Sequence, residues 1–219
     1  MLFETLTRKF IPHILFFAAL LEANAAEFSR PTSAPYKGDL AIFEEPDRAE
    51  NLQIERVMDL LAIRSGSRVA DLGAGSGWFT VRAARRVGEQ GVVYAVEINR
   101  DYIRHIKQRA AKEKLPNIRT ILGRADDPLL PAQSVDTVLL LKTYHEVEKP
   151  IPLLRKVRAA MRPGAKLAII DKNGSGGDHG LDAEVVIKEA ASAGFRLLAQ
   201  HDFVRSEGVD YFLIFEAAG

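Results

Sequence analysis

Residues 68–80 have the sequence RVADLGAGSGWFT, and the fold is organised around them. The apolar opening predicts a short buried strand that ends in Asp71, and three alternating glycines within 73–77 predict a tight turn leading into a helix. Dinucleotide-binding folds place a pyrophosphate at the start of such a helix, where the Asp71 carboxylate would repel it. The stretch therefore favours a ligand with a cationic or amino group. The alternative interpretation is a strand-to-helix turn whose small residues serve packing alone.

Length and composition limit the protein to one sizeable core. With 219 residues and 47% apolar content, the chain is long enough for one domain and an appendage. Its formal charge of +1 provides no general attraction to nucleic acid or to an anionic membrane. The lack of cysteine excludes disulfides, thiolate metal sites and cysteine nucleophiles.

The first residues have the pattern of a secretory signal peptide over 1–25. Arg8 and Lys9 precede an apolar run over 10–21, and Ala23-Asn24-Ala25 provides the small residues of a cleavage site. We expect cleavage near Ala25, export to the periplasm and no membrane span afterwards, since the run is short for one. N-terminal sequencing of the mature protein tests this. The alternative is an amphipathic helix beside the domain of a cytoplasmic or membrane-associated protein.

The remaining chain predicts a linker and one α/β domain. Residues 26–46 carry prolines and scattered aromatic residues without a sustained period, which is typical of a linker or N-terminal extension. Predicted helices cover 47–63, 78–87, 100–114, 150–161 and 182–193, and predicted strands cover 68–71, 92–97, 119–123, 135–141, 165–171, 195–201 and 209–216. Helices and strands alternate until the last two strands, so we expect a mostly parallel sheet with one reversed edge.

Ligands of an open α/β sheet bind beyond the carboxyl ends of its strands. The segments that reach this edge are Asp71 with the glycine turn, Glu97, the pair Ala125-Asp126, and the loop over 142–146. Glu97 lies 20 residues beyond Gly77, a spacing that places its carboxylate to accept hydrogen bonds from a ribose diol. The alternative for Glu97 is a solvated carboxylate at a strand end.

Five motifs occur together along this edge and in the strands behind it. They are VADLGAGSG at 69–77, the acid Glu97, ADDPLLP at 125–131, SVDTVLLL at 134–141 and MRPGAKLAIID at 161–171. Together they resemble class I S-adenosylmethionine-dependent methyltransferases, in particular those of ubiquinone and menaquinone biosynthesis. The resemblance extends over most of 47–219. It implies a Rossmann-like, doubly wound sheet of seven strands with an antiparallel last strand, helices on both faces, and S-adenosylmethionine as cofactor.

The resemblance also implies which residues bind the cofactor. They are Asp71, Gly73, Ala74, Gly75, Ser76, Gly77, Glu97, Ile98, Ala125, Asp126 and Leu141. Asp71 would face the amino acid part, Glu97 would accept both ribose hydroxyls, and Ile98 would pack on the adenine. Arg124 stands where many family members have a polar or acidic residue. Asp126 is therefore expected to accept from the adenine amine instead.

His145, just beyond the fourth strand, is the candidate general base for an acceptor that must lose a proton, with Tyr144 beside it. The alternative for His145 is a loop histidine bonded to nearby backbone. His179, in the glycine-rich segment 174–180, is placed to close over a substrate, unless that segment is merely a flexible loop.

Some related O-methyltransferases bind a divalent ion through acids after the fourth and fifth strands. Here Asp171 is present but Lys142 ends the fourth strand, so no metal site is expected.

Two other functions remain open from the residues alone. A nicotinamide-dependent oxidoreductase would require glycines at G-x-G-x-x-G spacing, whereas this chain has G-x-G-x-G preceded by Asp71. A non-catalytic binding module that has kept the fold is the second alternative, since an exported methyltransferase needs a supply of a cytosolic cofactor. The basic residues fall on predicted helix faces, which favours a small-molecule acceptor and no nucleic acid partner. The sequence does not determine the oligomeric state.

Overall fold

A computed structural model describes residues 30–205 and 210–218. The chain divides into two units, residues 1–30 and Pro31–Gly219, and every element below belongs to the second. The predicted signal peptide over 1–25 lies outside the described residues and stays a prediction. Within the described ranges, no helix is long and apolar enough to cross a bilayer.

Helices and strands alternate along the second unit. The helices are α1 (Arg48–Asn51), α2 (Ile54–Leu60), α3 (Trp78–Val87), α4 (Arg100–Lys112), α5 (Pro150–Ala160) and α6 (Ala183–Ser192). The strands are β1 (Arg68–Leu72), β2 (Val92–Glu97), β3 (Ile118–Leu122), β4 (Val135–Leu141), β5 (Met161–Lys172), β6 (Phe195–His201) and β7 (Asp210–Ala217). Two single-turn 3-10 helices, Leu40–Phe43 and Tyr144–Glu146, lie before α1 and after β4. The seven predicted strands are confirmed, most of them to within a residue at each end.

The strands form one sheet in the order β3-β2-β1-β4-β5-β7-β6. The first five are parallel, and β7 runs antiparallel to both β5 and β6. The predicted α/β class and antiparallel last strand are therefore confirmed. The expectation that the reversed strand forms the edge is wrong, because β7 lies inside and β6 forms the edge. Residues 210–215 of β7 are all buried, whereas β6 exposes Arg196, Leu197 and Leu198, so the more apolar strand takes the interior position.

Each face of the sheet is covered by helices. Alternate residues of β1 and β4 point to opposite faces, so Ala70 and Leu140 join one core while Val69 and Leu139 join another. The first core contains buried residues of α5 and α6, and the second contains those of α2 and α3. Each fully buried Leu or Val side chain contributes about 1.5–3 kcal/mol through burial. The prediction of helices on both faces is confirmed.

The single helix predicted over 47–63 is wrong in detail. The structure has α1 and α2 in its place, separated at Gln53, whose backbone is left-handed with φ of 45°. Leu52 and Ile54 are both buried, although they are only two positions apart. A continuous helix would place them about 200° apart around its axis, on opposite faces. The break at Gln53 therefore lets both side chains enter the same core.

Two further expectations change at helix ends. The turn residues 162–164 predict a separation between helix and strand, yet β5 begins directly at Met161 and these residues form an exposed irregularity within it. Gly164 supports the bend with φ of 77°. Asp182 occupies the position before α6, as expected of a cap, but its side chain makes no capping hydrogen bond.

Candidate active site at the carboxyl ends of the strands

The strand order reverses between β1 and β4, in the middle of the sheet. An open α/β sheet binds ligands in the crevice that forms at this point. The glycine turn follows β1, Glu97 ends β2, the 3-10 helix Tyr144–Glu146 follows β4, and residues 173–180 follow β5. The fold therefore brings the main predicted segments to one edge of the sheet.

Asp71 lies beneath the glycine turn rather than on its surface. Its side chain is 2% exposed and accepts a hydrogen bond of 2.5 Å from the Thr80 hydroxyl in the first turn of α3. Burial raises the pKa of Asp71 to about 6; the Thr80 hydrogen bond opposes this, the Glu97 charge adds to it, and the Arg48 charge opposes it. Asp71 is thus placed to act on a ligand through its charge and the turn above it, more than through an open contact.

The raised pKa of Asp71 predicts a pH dependence of stability that an asparagine variant lacks. Since the folded-state pKa of about 6 lies above the usual 3.8, the folded protein binds this proton more tightly than the unfolded chain does. The resulting stabilisation is complete below about pH 4, is lost as pH rises through about 6, and is on the order of 3 kcal/mol. In urea titrations, we expect the free energy of unfolding of the wild type minus that of Asp71→Asn to decrease as the pH is raised from about 4 to about 7. An unchanged difference would contradict the prediction.

The backbone N–H groups of the glycine turn are used inside the protein. The amides of Gly73 and Ala74 donate to the Val96 carbonyl at 2.9 and 3.1 Å, and the Gly75 amide donates to Glu97 Oε2 at 3.0 Å. A phosphate-binding turn instead directs such amides at the ligand. The geometry therefore supports the argument, made from Asp71, against a pyrophosphate.

Glu97 is held by three backbone amides and is 7% exposed. Oε1 accepts from Ile98 at 2.7 Å and from Asn99 at 3.0 Å, and Oε2 accepts from Gly75. Because a carboxylate oxygen has two in-plane lone pairs, Oε2 retains one acceptor position while Oε1 is fully used. Ile98, beside this carboxylate, is 46% exposed and so offers a free apolar surface. In this geometry Glu97 has one acceptor position left, on Oε2, and the predicted contact of Glu97 with both ribose hydroxyls stays a prediction.

The other predicted cofactor residues differ in what they can offer a ligand. The Ala74 side chain packs with Ala95 and Ile106, so it is part of the core. Ala125 and Asp126 form the tip of a two-residue turn closed by backbone bonds between Arg124 and Asp127, one strand over from Glu97. Ser76 and Leu141 are buried at the same edge of the sheet, and a side chain at Gly77 would lie 3.3 Å from Ile106.

The segment before α1 covers the glycine turn. Ser76 donates its hydroxyl to Glu44 at 2.7 Å, and Arg109 of α4 binds both Glu44 and the Ser76 carbonyl. The Phe43 ring lies 3.5 Å from the position a side chain at Gly75 would take. Aromatic residues in an otherwise proline-rich stretch were the one available signal that this stretch packs on the domain.

His145 belongs to a buried pair with Asp171. The imidazole is 5% exposed, and its Nδ1 lies 2.9 Å from each carboxylate oxygen of Asp171, which is fully buried at the end of β5. The backbone amide of His145 donates to the same carboxylate at 3.1 Å. The ring proton of the neutral histidine is therefore on Nδ1, which donates it to Asp171, and Nε2 is left as a hydrogen-bond acceptor. The alternative of a histidine bonded mainly to backbone is wrong.

The neighbours of His145 are Glu146 and His179. His145 Nε2 lies 4.0 Å from Glu146 Oε1, and the His179 ring stands edge-on to the His145 ring at 5.6 Å between centroids. Burial raises the pKa of Glu146 to about 7, although the charge of His145 and the amide of Tyr36 favour its ionised form. Sequence spacing did not single out Glu146.

Tyr144 and Lys142 do not face this group. Tyr144 is fully buried, and its hydroxyl donates to Glu189 of α6 at 2.9 Å, so it shares neither the direction of contact nor the exposure of His145. Lys142 forms an ion pair with the buried carboxylate of Asp210 in β7. Both side chains point into the packing around the sheet.

The open, mostly parallel sheet, with helices on both faces and a candidate site where the strand order reverses, defines the Rossmann-like class of α/β domains. A family model described as "Methyltransferase domain" matches residues 63–204, which is more than half of the chain. The chain therefore belongs to this family, and the expected membership of the class I S-adenosylmethionine-dependent methyltransferases is confirmed.

Curated relatives and solved structures agree with this assignment. The chain is 34% identical over 84 residues to aklanonic acid methyltransferase of Streptomyces sp. (strain C5), covering 38% of each protein. It is 24% identical to demethylmenaquinone methyltransferase of Listeria monocytogenes over 53% of the chain and 49% of that protein. It thus spans about half or less of these relatives. A methyltransferase from Aquifex aeolicus has the same fold, with a TM-score of 0.74, 24% identity and coverage of 82% of this chain and 98% of that one.

Proposed function

We propose that this chain binds S-adenosylmethionine and transfers its methyl group to a small-molecule acceptor. The observation that carries the proposal is the Glu97 carboxylate, which Gly75, Ile98 and Asn99 hold in place next to an exposed apolar side chain. A fixed acceptor beside an apolar platform fits a ribose attached to a flat base. Relatives named as methyltransferases support the same function.

The cofactor, when bound, supplies an electrophilic methyl group on a positively charged sulfur. The chain contributes two acids, Asp71 and Glu97, whose negative charges favour a cationic ligand at this edge. His145 Nε2 would take the proton of a hydroxyl or similarly acidic acceptor as the new bond to the methyl carbon forms and the sulfur–carbon bond breaks. Asp171 would stabilise the resulting imidazolium. Positioning of the reactants can account for about 7–11 kcal/mol of the barrier in favourable cases.

The two alternatives are less well supported. A nicotinamide dinucleotide needs free amides for its pyrophosphate, and those of Gly73, Ala74 and Gly75 are already bonded. A non-catalytic binding module is not favoured by the relatives, which are named as methyltransferases. The acceptor itself, and whether oxygen, nitrogen or carbon receives the methyl group, is left open by this proposal.

Ligand titration of the purified protein tests the proposed function. We expect saturable binding of S-adenosylhomocysteine below millimolar concentration by isothermal titration calorimetry, and no binding of NADH in the same assay. Absence of S-adenosylhomocysteine binding up to millimolar concentration would contradict the proposal, and NADH binding would favour the oxidoreductase instead.

A further inference from the structure

Three side chains with metal-binding atoms converge at the carboxyl ends of β4 and β5. One nitrogen from each of His145 and His179 and one oxygen of Glu146 lie within 4.8 Å of one another. Burial decreases across the group, since His145 is buried, Glu146 is half-buried and His179 is exposed. The group is thus anchored in the fold on one side and open to solvent on the other.

The buried side of the group already has the support that a metal-binding histidine needs. Histidine ligands usually donate their other ring N–H to a carboxylate, which fixes the tautomer and raises the basicity of the ligating nitrogen. Asp171 fills this role for His145 through Nδ1, and it is itself held by the backbone amides of His145 and Lys172. The other ring nitrogen, Nε2, is the free acceptor of the neutral ring and lies 4.0 Å from Glu146 Oε1. The support from Asp171 is independent of the clustering of the three side chains.

The segment that carries His179 is held against His145 by Ser33. The Ser33 amide donates to the His145 carbonyl at 3.2 Å, its hydroxyl donates to the Gly176 carbonyl at 2.8 Å, and the same hydroxyl accepts from the His179 amide at 3.0 Å. Three segments of chain that are far apart in sequence are thereby joined at one buried serine. The backbone position of His179 is consequently set by these hydrogen bonds.

The dimensions suit a small divalent ion after a slight contraction. Bonds of about 2.0–2.1 Å from zinc to nitrogen or oxygen place tetrahedral ligand atoms roughly 3.3 Å apart. His145 Nε2 and Glu146 Oε1 lie 4.0 Å apart, so the gap closes with a shift below about 1 Å. His179, being exposed, has room to rotate inward.

We propose that His145, Glu146 and His179 bind one divalent first-row transition metal ion, for which Zn²⁺ is the representative. Two imidazole nitrogens and one carboxylate oxygen are a ligand set that such ions accept, and three protein ligands leave a coordination position open. From the sequence, the positions considered for metal-binding acids are only those after the fourth and fifth strands, at Lys142 and Asp171. In the fold Asp171 supports a ligand from behind, and Lys142 is paired with Asp210.

A metal on Nε2 changes how an acceptor would be activated, and this step alone rests on the proposed function. The same lone pair cannot hold a metal and receive a proton. With the metal bound, an acceptor oxygen would occupy the open position and lose its proton to solvent, because coordination lowers its pKa. Its attack on the methyl carbon would form the new oxygen–carbon bond as the sulfur–carbon bond breaks, and the electron pair of that bond would leave with the sulfur. His145 would then be a ligand and Asp171 its positioning residue.

Metal binding by the full chain tests the site directly. After removal of metal with EDTA, we expect the protein to bind one equivalent of Zn²⁺, and Co²⁺ to show the intense visible absorption of a tetrahedral site. His179→Ala and Glu146→Gln should each weaken Zn²⁺ binding at least about tenfold, and Asp171→Asn should weaken it about 10–100-fold. His105→Ala, which removes an exposed histidine on α4, is the matched control and should bind like the wild type.

The outcomes are separable from those of the proposed function. Failure of the wild type to bind Zn²⁺, or equal loss in His179→Ala and His105→Ala, overturns the metal site. Circular dichroism of each variant shows whether a loss reflects misfolding, and His179→Ala is decisive because its side chain is exposed. Titration of the metal-free wild type with S-adenosylhomocysteine reports on the cofactor site independently.

Discussion

Replacing Glu97 with alanine is expected to weaken S-adenosylhomocysteine binding about 100-fold. The substitution removes the proposed charge-assisted hydrogen bond to the ribose, and such a bond contributes about 1.5–3 kcal/mol. It also leaves the amides of Gly75, Ile98 and Asn99 without their common acceptor, so the glycine turn loses its link to β2. Isothermal titration of both proteins measures the ratio of dissociation constants.

The control for Glu97→Ala lies near the other end of the same strand. Glu89 is an exposed acid shortly before β2, so Glu89→Ala removes the same charge away from the ligand edge and should bind like the wild type. Wild-type affinity in Glu97→Ala, with an unchanged unfolding temperature, would remove Glu97 from the cofactor site. A loss of affinity in Glu89→Ala as large as in Glu97→Ala would show that net charge, and not the ribose contact, is responsible.

Local patterns predict the elements of this fold because each strand is a short apolar run bounded by turn residues. The runs over 92–97 and 135–141 match β2 and β4 at both ends, since strands buried on both faces leave a mostly apolar signal. Glu97 could be selected as a site residue for a similar reason. Its distance from the glycine turn is a property of the sequence alone.

Pairings between distant residues could not be predicted in this way. Asp171 supports His145 across 26 positions, and Glu44 reaches Ser76 across 32, through contacts that exist only once β4, β5 and the N-terminal segment are packed. The interior position of β7 is also a tertiary effect. The antiparallel pairing of β6 and β7 is compatible with either strand lying next to β5. Which of the two lies inside the sheet depends on which is more fully buried in the folded protein.

The glycines of the turn after β1 differ in what they contact. Gly75 supplies an amide to Glu97, which is a contribution to the ligand edge. Gly73 serves packing, because a side chain there would meet Thr143, which follows β4. The turn therefore joins the ends of β1 and β4 at the point where the strand order reverses, and its shape affects both halves of the site.

Gly73→Ala is accordingly expected to destabilise the protein by about 3–4 kcal/mol and to lower its unfolding temperature by about 10 °C. The backbone of Gly73 has φ of +73°, which costs an alanine about 1–2 kcal/mol. Its new Cβ would lie 2.3 Å from Thr143 Cγ2 and 2.7 Å from Thr143 Oγ1, so the turn or the loop after β4 must move. Thermal unfolding and S-adenosylhomocysteine titration of the same sample should both show losses.

Two further variants separate backbone strain from the clash at Gly73. Gly66 has φ of +82°, and none of the described residues lies within 4 Å of the place that a Cβ would take there. Gly66→Ala therefore introduces the backbone strain without a clash, and it should lower the free energy of unfolding by about 1–2 kcal/mol. Thr143→Ala removes both clashing atoms and should recover part of the stability lost in Gly73→Ala, giving a favourable coupling energy in a double-mutant cycle. Equal costs for Gly66→Ala and Gly73→Ala, together with zero coupling to Thr143, would mean that this contact does not hold the two strand ends together.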